Sequence, residues 1–352
     1  MKFEFISDFG FRIYNLATPL PYRHNTTNMT ARILAFIFAT TVFTTMADDL
    51  RIGMIGLDTS HCVEFTRRLN DPKNRNHVEG GKIVAAFKGG SEDMPTDSMK
   101  RIPPYAKELE EKWGVKMYDS IDALVKDVDV VMIESIDGRK HLEQALPVMK
   151  AGKRLFIDKP VAGSLRDAIK IYELAKEQNV SVFSGSSLRY YPNLQEMKHT
   201  DVGELKGAYS IGPAHLEKHH PDLYWYGIHP TEALYTIMGT GCETVVCTAT
   251  PDTHVVTGVW KDGKVATLRG MRSGVEPYRV SVYGTKKVLD EQLVGDYTPF
   301  LREVIKFLQT GVAPVPQEET IEIYAFMEAA DESKREGGKP VRIADVMKKN
   351  KP

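Results

Sequence analysis

Apolar and polar positions follow two different periods along this chain. Between residue 50 and about residue 185, short apolar runs alternate with stretches whose apolar positions recur every three or four residues. Runs at 51–57, 82–87, 116–118, 128–134, 154–157 and 180–183 predict strands. The segments 63–69, 105–113, 121–125, 141–151 and 164–178 predict helices. Gly152 closes the helix at 141–151, and Ser164 caps the next one. After Thr244 the period becomes two: 255–259, 265–269 and 279–283 read as strands, with a hairpin turn at Lys261-Asp262-Gly263-Lys264. An amphipathic helix at 321–334 stops at Gly337-Gly338.

Strands that alternate with helices pair in parallel and carry helices on both faces. The predicted class is therefore α/β: an N-terminal doubly wound parallel sheet of the Rossmann type, followed by a C-terminal α+β domain with an open, mainly antiparallel sheet. The corresponding boundaries are 1–47 for an N-terminal extension, 48–185 for the first domain and 186–345 for the second. No internal repeat or low-complexity tract interrupts them.

Composition narrows the class of protein. The chain has 352 residues, 42% apolar and 26% charged, with a formal net charge of −1. That is a globular composition, without the broad basic face that nucleic-acid binding requires. The extension looks like a leader. Met29-Thr30-Ala31-Arg32 is a short positive start, 33–43 is an apolar run too short to span a bilayer comfortably, and Thr45-Met46-Ala47 offers small residues for cleavage. Cleavage after Ala47 and export to the periplasm or exterior, with no membrane anchor remaining, is the expectation. Residues 1–28 show no usable pattern. Cys62, Cys242 and Cys247 lack metal-ligand spacing and read as small core residues.

Candidate chemistry concentrates at strand ends. Phe156-Ile157-Asp158-Lys159-Pro160 is an apolar run ending in an acid, a lysine and a strand-stopping proline. Ligands bind at the C-terminal ends of strands in open α/β sheets, and a sheltered lysine beside a carboxylate suits acid–base work. The first strand-to-helix turn, Gly53-Met54-Ile55-Gly56-Leu57-Asp58-Thr59-Ser60-His61, carries only the first glycine of a dinucleotide fingerprint. Asp58 and His61 occupy the other two glycine positions. Two readings stay open there. Either Asp58, Thr59 or Ser60 merely caps the helix, or Thr59, Ser60 and the helix N-terminus hold a nucleotide while Asp58 turns away. After the second strand, Phe87-Lys88-Gly89-Gly90-Ser91 lacks the acid that grips a ribose 2′-hydroxyl, and Lys88 and Ser91 suit a 2′-phosphate.

Three segments together resemble the Gfo/Idh/MocA oxidoreductases, the relatives of glucose–fructose oxidoreductase and inositol dehydrogenase. They are Ala151-Gly152-Lys153, Asp158-Lys159-Pro160, and Gly185-Ser186-Ser187-Leu188-Arg189-Tyr190-Tyr191-Pro192. The likeness runs from Leu50 to about Ile343. It implies a Rossmann domain, a second domain on an open sheet that often forms homo-oligomers, NAD or NADP as cofactor, and a sugar, polyol or related carbonyl as substrate. It also implies a catalytic role for Lys159, oriented by Asp158. A second family signature reads here as Trp225-Tyr226-Gly227-Ile228-His229-Pro230-Thr231-Glu232, with Trp225 and Glu232 replacing its two acids. It makes His229 the proton-handling residue. On this basis Gly56, Asp58, Thr59, Ser60, His61, Lys88, Glu134 and Ser135 fall on the cofactor side. Arg189, Tyr190, His215, Tyr226 and Glu232 fall on the substrate side. No metal site is expected.

Export raises a difficulty. A chain threaded through the general channel is unfolded and carries no cofactor, whereas folded export uses twin arginines, and this leader has only Arg32. A second reading is therefore a non-redox carbohydrate-binding protein or a lyase on the same fold. A third is metal chemistry built on His215, His219, His220 and His229.

Overall fold

Residues 49–352 are described in the computed structural model; the leader read at 29–47 lies outside them. The first half alternates as its pattern requires: β1 (Leu50–Ile55), α1 (Ser60–Asn70), β2 (Gly81–Phe87), α2 (Ile102–Trp113), β3 (Lys116–Tyr118), α3 (Ile121–Leu124), β4 (Val130–Ile133), α4 (His141–Lys150), β5 (Leu155–Ile157), α5 (Leu165–Glu177) and β6 (Val182–Ser184). All six strands pair in parallel, in the order β3-β2-β1-β4-β5-β6. That is the doubly wound order, and its switch point lies between β1 and β4. β4, β5 and β6 are buried along their whole length, as strands covered on both faces must be. The Ser164 hydroxyl accepts the Asp167 amide at the start of α5, and Gly152 follows α4 at φ +67°.

The second half contains α6 (Pro192–His199), β7 (Leu205–Pro213), α7 (Ile228–Met238), β8 (Cys242–Thr250), β9 (Thr253–Trp260), β10 (Val265–Met271), β11 (Arg279–Gly284), β12 (Val288–Gln292), α8 (Thr298–Thr310), α9 (Gln317–Arg335), β13 (Val341–Arg342) and α10 (Ile343–Lys349). Its seven strands run β12-β11-β7-β10-β9-β8-β13. Every neighbouring pair is antiparallel except β7 with β10. One face packs on α7 and α9 through Tyr235, Trp260 and Phe326. The opposite face stays open, with Val259 and Val265 paired across β9 and β10 and both exposed.

Two features join the halves into one compact unit. α8, although it follows the second sheet in sequence, lays Phe300 and Phe307 against Phe156 and Phe183 of β5 and β6. The loop 215–222 is tied to the first sheet by a chain of charges. His220, fully buried at its side chain, lies 2.8 Å from Glu217 and 3.2 Å from Asp137. Arg139 then bridges Asp137 and Asp93. Cys62, Cys242 and Cys247 are buried free thiols. No helix among the described residues is long and apolar enough to cross a membrane.

Candidate functional site

The turn after β1 is built around Gly56. Its φ is +91°, and a Cβ there would lie 2.2 Å from the Ser135 hydroxyl and 2.3 Å from the Ser135 nitrogen. Only glycine lets the turn press this closely on the strand end beside it. Asp58 is fully buried and points inward: it accepts hydrogen bonds from the Ser98 hydroxyl (2.6 Å) and the Ile136 amide (2.9 Å). Burial raises its pKa, and those two bonds oppose the rise. The Thr59 hydroxyl donates to the Glu134 carbonyl rather than capping α1, and no acid lies in the first turn of that helix. The leading amides of α1 thus keep no side-chain acceptor, which is the condition for receiving an anion.

Thr59 and Ser60 form one wall of a cavity of about 360 Å³ between the two sheets. Lys159, from the end of β5, and His229, from the first turn of α7, line the same cavity. Tyr191, Trp225, Tyr226, Tyr278 and Tyr297 supply aromatic walls, and Arg101 and Asp97 also line the cavity. The His229 Nδ1 is 2.7 Å from the Ser186 hydroxyl, which also accepts the Leu188 amide. Burial, reinforced by the charge of Lys159, pushes the His229 pKa well below its ordinary value, so the imidazole is neutral near pH 7. A serine hydroxyl can donate to Nδ1 or accept from it, so Ser186 supports either tautomer of the ring.

Asp158 is buried beside this wall, and its carboxylate lies 2.7 Å from the His61 Nδ1. Burial would raise its pKa, but His61 and Lys159 hold it down at about 2. His61 stacks on Phe65, meets Tyr297 edge-on and reaches the cavity. Glu134 lies behind it, fully buried, with neither carboxylate oxygen hydrogen-bonded.

Several residues expected at the site lie elsewhere. Arg189 and Glu232, expected on the substrate side, are buried and pair with each other. Arg189 also contacts Glu319 of α9 at 2.6 Å. The interior tolerates the guanidinium because two carboxylates face it. Tyr190 is turned onto Phe300, with its hydroxyl buried. His215 is half exposed and pairs with Glu276 at 2.9 Å, its ring edge-on to Tyr226. On the cofactor side, Lys88 is exposed and lies off the cavity wall. The Ser91 hydroxyl is taken by Asp137 and that of Ser135 by Gln144. The four histidines of the metal reading do not converge: His215 faces Glu276, His219 and His220 face Glu217, and His229 faces Ser186. Ser186, Tyr278, Tyr297 and Arg101 were not expected at the site. They lie on loops far apart in sequence, which no local pattern connects.

The sheet order, the anion-ready helix start and the cavity between two sheets are those of a nucleotide-binding α/β fold with a second lobe across the cavity. Residues 50–186 match the Gfo/Idh/MocA model, described as an oxidoreductase family with an NAD-binding Rossmann fold. Across 266 residues the chain is 26% identical to the myo-inositol 2-dehydrogenase of Thermotoga maritima, covering 67% of this chain and 73% of that one. It is also 26% identical over 156 residues to the dehydrogenase aclE of Aspergillus oryzae, of whose length the match spans only 40%. Among solved structures, GenD2 of gentamicin A biosynthesis in complex with NAD superposes with a TM-score of 0.68 at 16% identity, covering 84% of this chain and 97% of that one. The myo-inositol 2-dehydrogenase of Lactobacillus plantarum gives 0.67 at 18%, covering 84% and 99%. The first lobe thus matches an NAD-binding Rossmann model of an oxidoreductase family, and the second lobe shares the architecture of those neighbours.

Proposed function

We propose that the chain is an NAD(P)-dependent oxidoreductase acting on the CH–OH group of a sugar, polyol or related carbonyl compound. The observation that carries this reading is the shared cavity: Lys159 from one lobe and His229 from the other line one space of small-molecule size. The residues present suit a dinucleotide. Gly56 allows the tight turn against Ser135, Asp58 is turned out of the way, and the start of α1 is open to a diphosphate. When bound, the nicotinamide accepts or returns a hydride.

The chain's own groups handle the proton and the charge. The Lys159 ammonium faces the reacting oxygen and stabilises the negative charge that grows on it. The neutral His229 takes the hydroxyl proton in oxidation and gives it back in reduction, with Ser186 holding the ring. The tyrosine and tryptophan walls present faces to the apolar side of a sugar ring and exclude water.

The proposal extends to assembly and compartment. The open face of the seven-stranded sheet, with Val259 and Val265 exposed, is the surface for self-association. Export follows from the leader at 29–47, and N-terminal sequencing of the protein made by its native host tests that step. The function itself is tested by thermal shift with NAD and NADP, followed by a polyol and sugar screen read by reduced-nicotinamide absorbance. Stabilisation by one dinucleotide and turnover of a polyhydroxy substrate are expected. A protein that ignores both dinucleotides is instead the carbohydrate-binding or lyase alternative.

A further inference from the structure

Behind the Lys159 wall the structure brings together three side chains whose mutual contact the redox reading does not use. β4 and β5 each end in an acid, Glu134 and Asp158, and the first turn of α1 sets His61 against both. The three elements are remote in sequence, yet the His61 Nδ1 and one oxygen from each carboxylate lie within 4.8 Å of one another. Nδ1 is 2.7 Å from Asp158 Oδ2 and 3.9 Å from Glu134 Oε2. Neither Glu134 oxygen has a hydrogen-bond partner, although the residue is fully buried. An ionised carboxylate in that position is strongly unfavourable unless it is paired or bound to a metal. The Lys159 charge favours ionisation of both carboxylates, but among the described residues no lysine or arginine comes within ion-pair distance of either.

We infer that His61, Glu134 and Asp158 form a binding site for a divalent transition-metal cation. One neutral imidazole and two carboxylates carry two negative charges, which such an ion cancels. Bonds of about 2.1 Å in tetrahedral geometry need ligand atoms roughly 3.4 Å apart. The two separations from Nδ1, 2.7 and 3.9 Å, lie on either side of that value, and all three ligand atoms are within 4.8 Å of one another, so the side chains must adjust to close on an ion. The ion would replace the hydrogen bond between the His61 Nδ1 and Asp158. A mixed imidazole–carboxylate set favours zinc or manganese over magnesium or calcium. The set supplies three protein ligands, so a fourth position is left for water, and of the three side chains His61 reaches the cavity that Lys159 and His229 line. A second group, Asp222, His254 and Asp331, has comparable spacing, but Lys334 and Arg272 already lie against it. It needs no further cation.

The inference stands apart from the redox proposal, and its test needs no dinucleotide. Full-length protein is stripped with chelator, dialysed and titrated calorimetrically with zinc chloride and with manganese chloride. Glu134→Gln, His61→Gln and Asp331→Asn proteins are titrated in parallel, and thermal unfolding checks that each is folded. One equivalent of zinc or manganese is expected at micromolar affinity or better. Affinity should fall at least tenfold in Glu134→Gln and in His61→Gln and stay unchanged in Asp331→Asn. Absence of stoichiometric binding by wild type overturns the inference and leaves Glu134 a protonated acid. Binding that survives both site substitutions overturns it equally, because the ion then sits elsewhere. Success with no dinucleotide response would remove the redox reading and keep the metal; the reverse result would do the opposite.

Discussion

Replacing Gly56 by alanine tests whether the turn after β1 is held as tightly as its geometry requires. The backbone at Gly56 has φ +91°, where an L-residue costs about 1–3 kcal/mol. The added Cβ also meets Ser135 at three atoms, the hydroxyl at 2.2 Å, the nitrogen at 2.3 Å and the Cα at 2.5 Å. The hydroxyl could rotate away, but the two backbone atoms move only if the end of β4 moves, and overpacking of this kind costs about 1–3 kcal/mol. The sum is roughly 2–6 kcal/mol. Gly114 provides a matched control. Its φ is +67°, but a Cβ there has nothing within 4 Å, so alanine at Gly114 incurs the backbone term alone. Urea unfolding of both variants separates the two contributions. Gly56→Ala should lose at least about 1 kcal/mol more than Gly114→Ala and should also lose its thermal response to dinucleotide. Equal losses would refute the claim that the turn is pressed against the neighbouring strand.

Asp331 is buried, and burial together with the charge of Asp222 pushes its carboxyl up to about 7. The folded protein therefore keeps a proton that the unfolded chain releases near pH 4, so stability should fall as pH rises from about 4 to about 7. Asp331→Asn should remove that decline and be more stable at pH 8 by roughly 2–4 kcal/mol. Unfolding curves at pH 5 and pH 8 check this, and an unchanged pH dependence in the variant contradicts it. Arg189→Ala leaves Glu232 and Glu319 facing each other in the interior and should cost about 3–5 kcal/mol, read as a fall in urea midpoint; a loss below about 1 kcal/mol would mean the guanidinium is not the buried counter-charge. Val265→Lys on the open sheet should convert an oligomer to monomer in light scattering while leaving the melting temperature of the monomer intact.

The first sheet was legible because β4, β5 and the strands beside them carry continuous apolar runs, bounded by caps such as Ser164 whose chemistry is local. The strand-end position of Asp158 and Lys159 followed from the same pattern. What was not legible depends on partners far away in sequence. Arg189 looks like a solvent-facing or ligand-facing charge until Glu232 and Glu319 are brought to it by α7 and α9. Asp58 looks like an obstacle to a phosphate until Ser98 and the Ile136 amide draw it inward. The histidine-dense segment suggests a metal cluster, but its members are separated by acids from other loops, Asp137 and Asp93 among them. α8 has an ordinary amphipathic pattern, and nothing within it reveals that its apolar face covers a sheet completed more than a hundred residues earlier.

The central claim is that the cavity between the two sheets carries out hydride transfer with Lys159 at the reacting oxygen. Its most direct test is Lys159→Met, compared with wild type for dinucleotide affinity by fluorescence titration and for turnover by reduced-nicotinamide absorbance. The account predicts that affinity stays within a few-fold while turnover falls by about 10²-fold or more. Undiminished turnover in the variant, or a wild-type protein that binds neither dinucleotide, would contradict it.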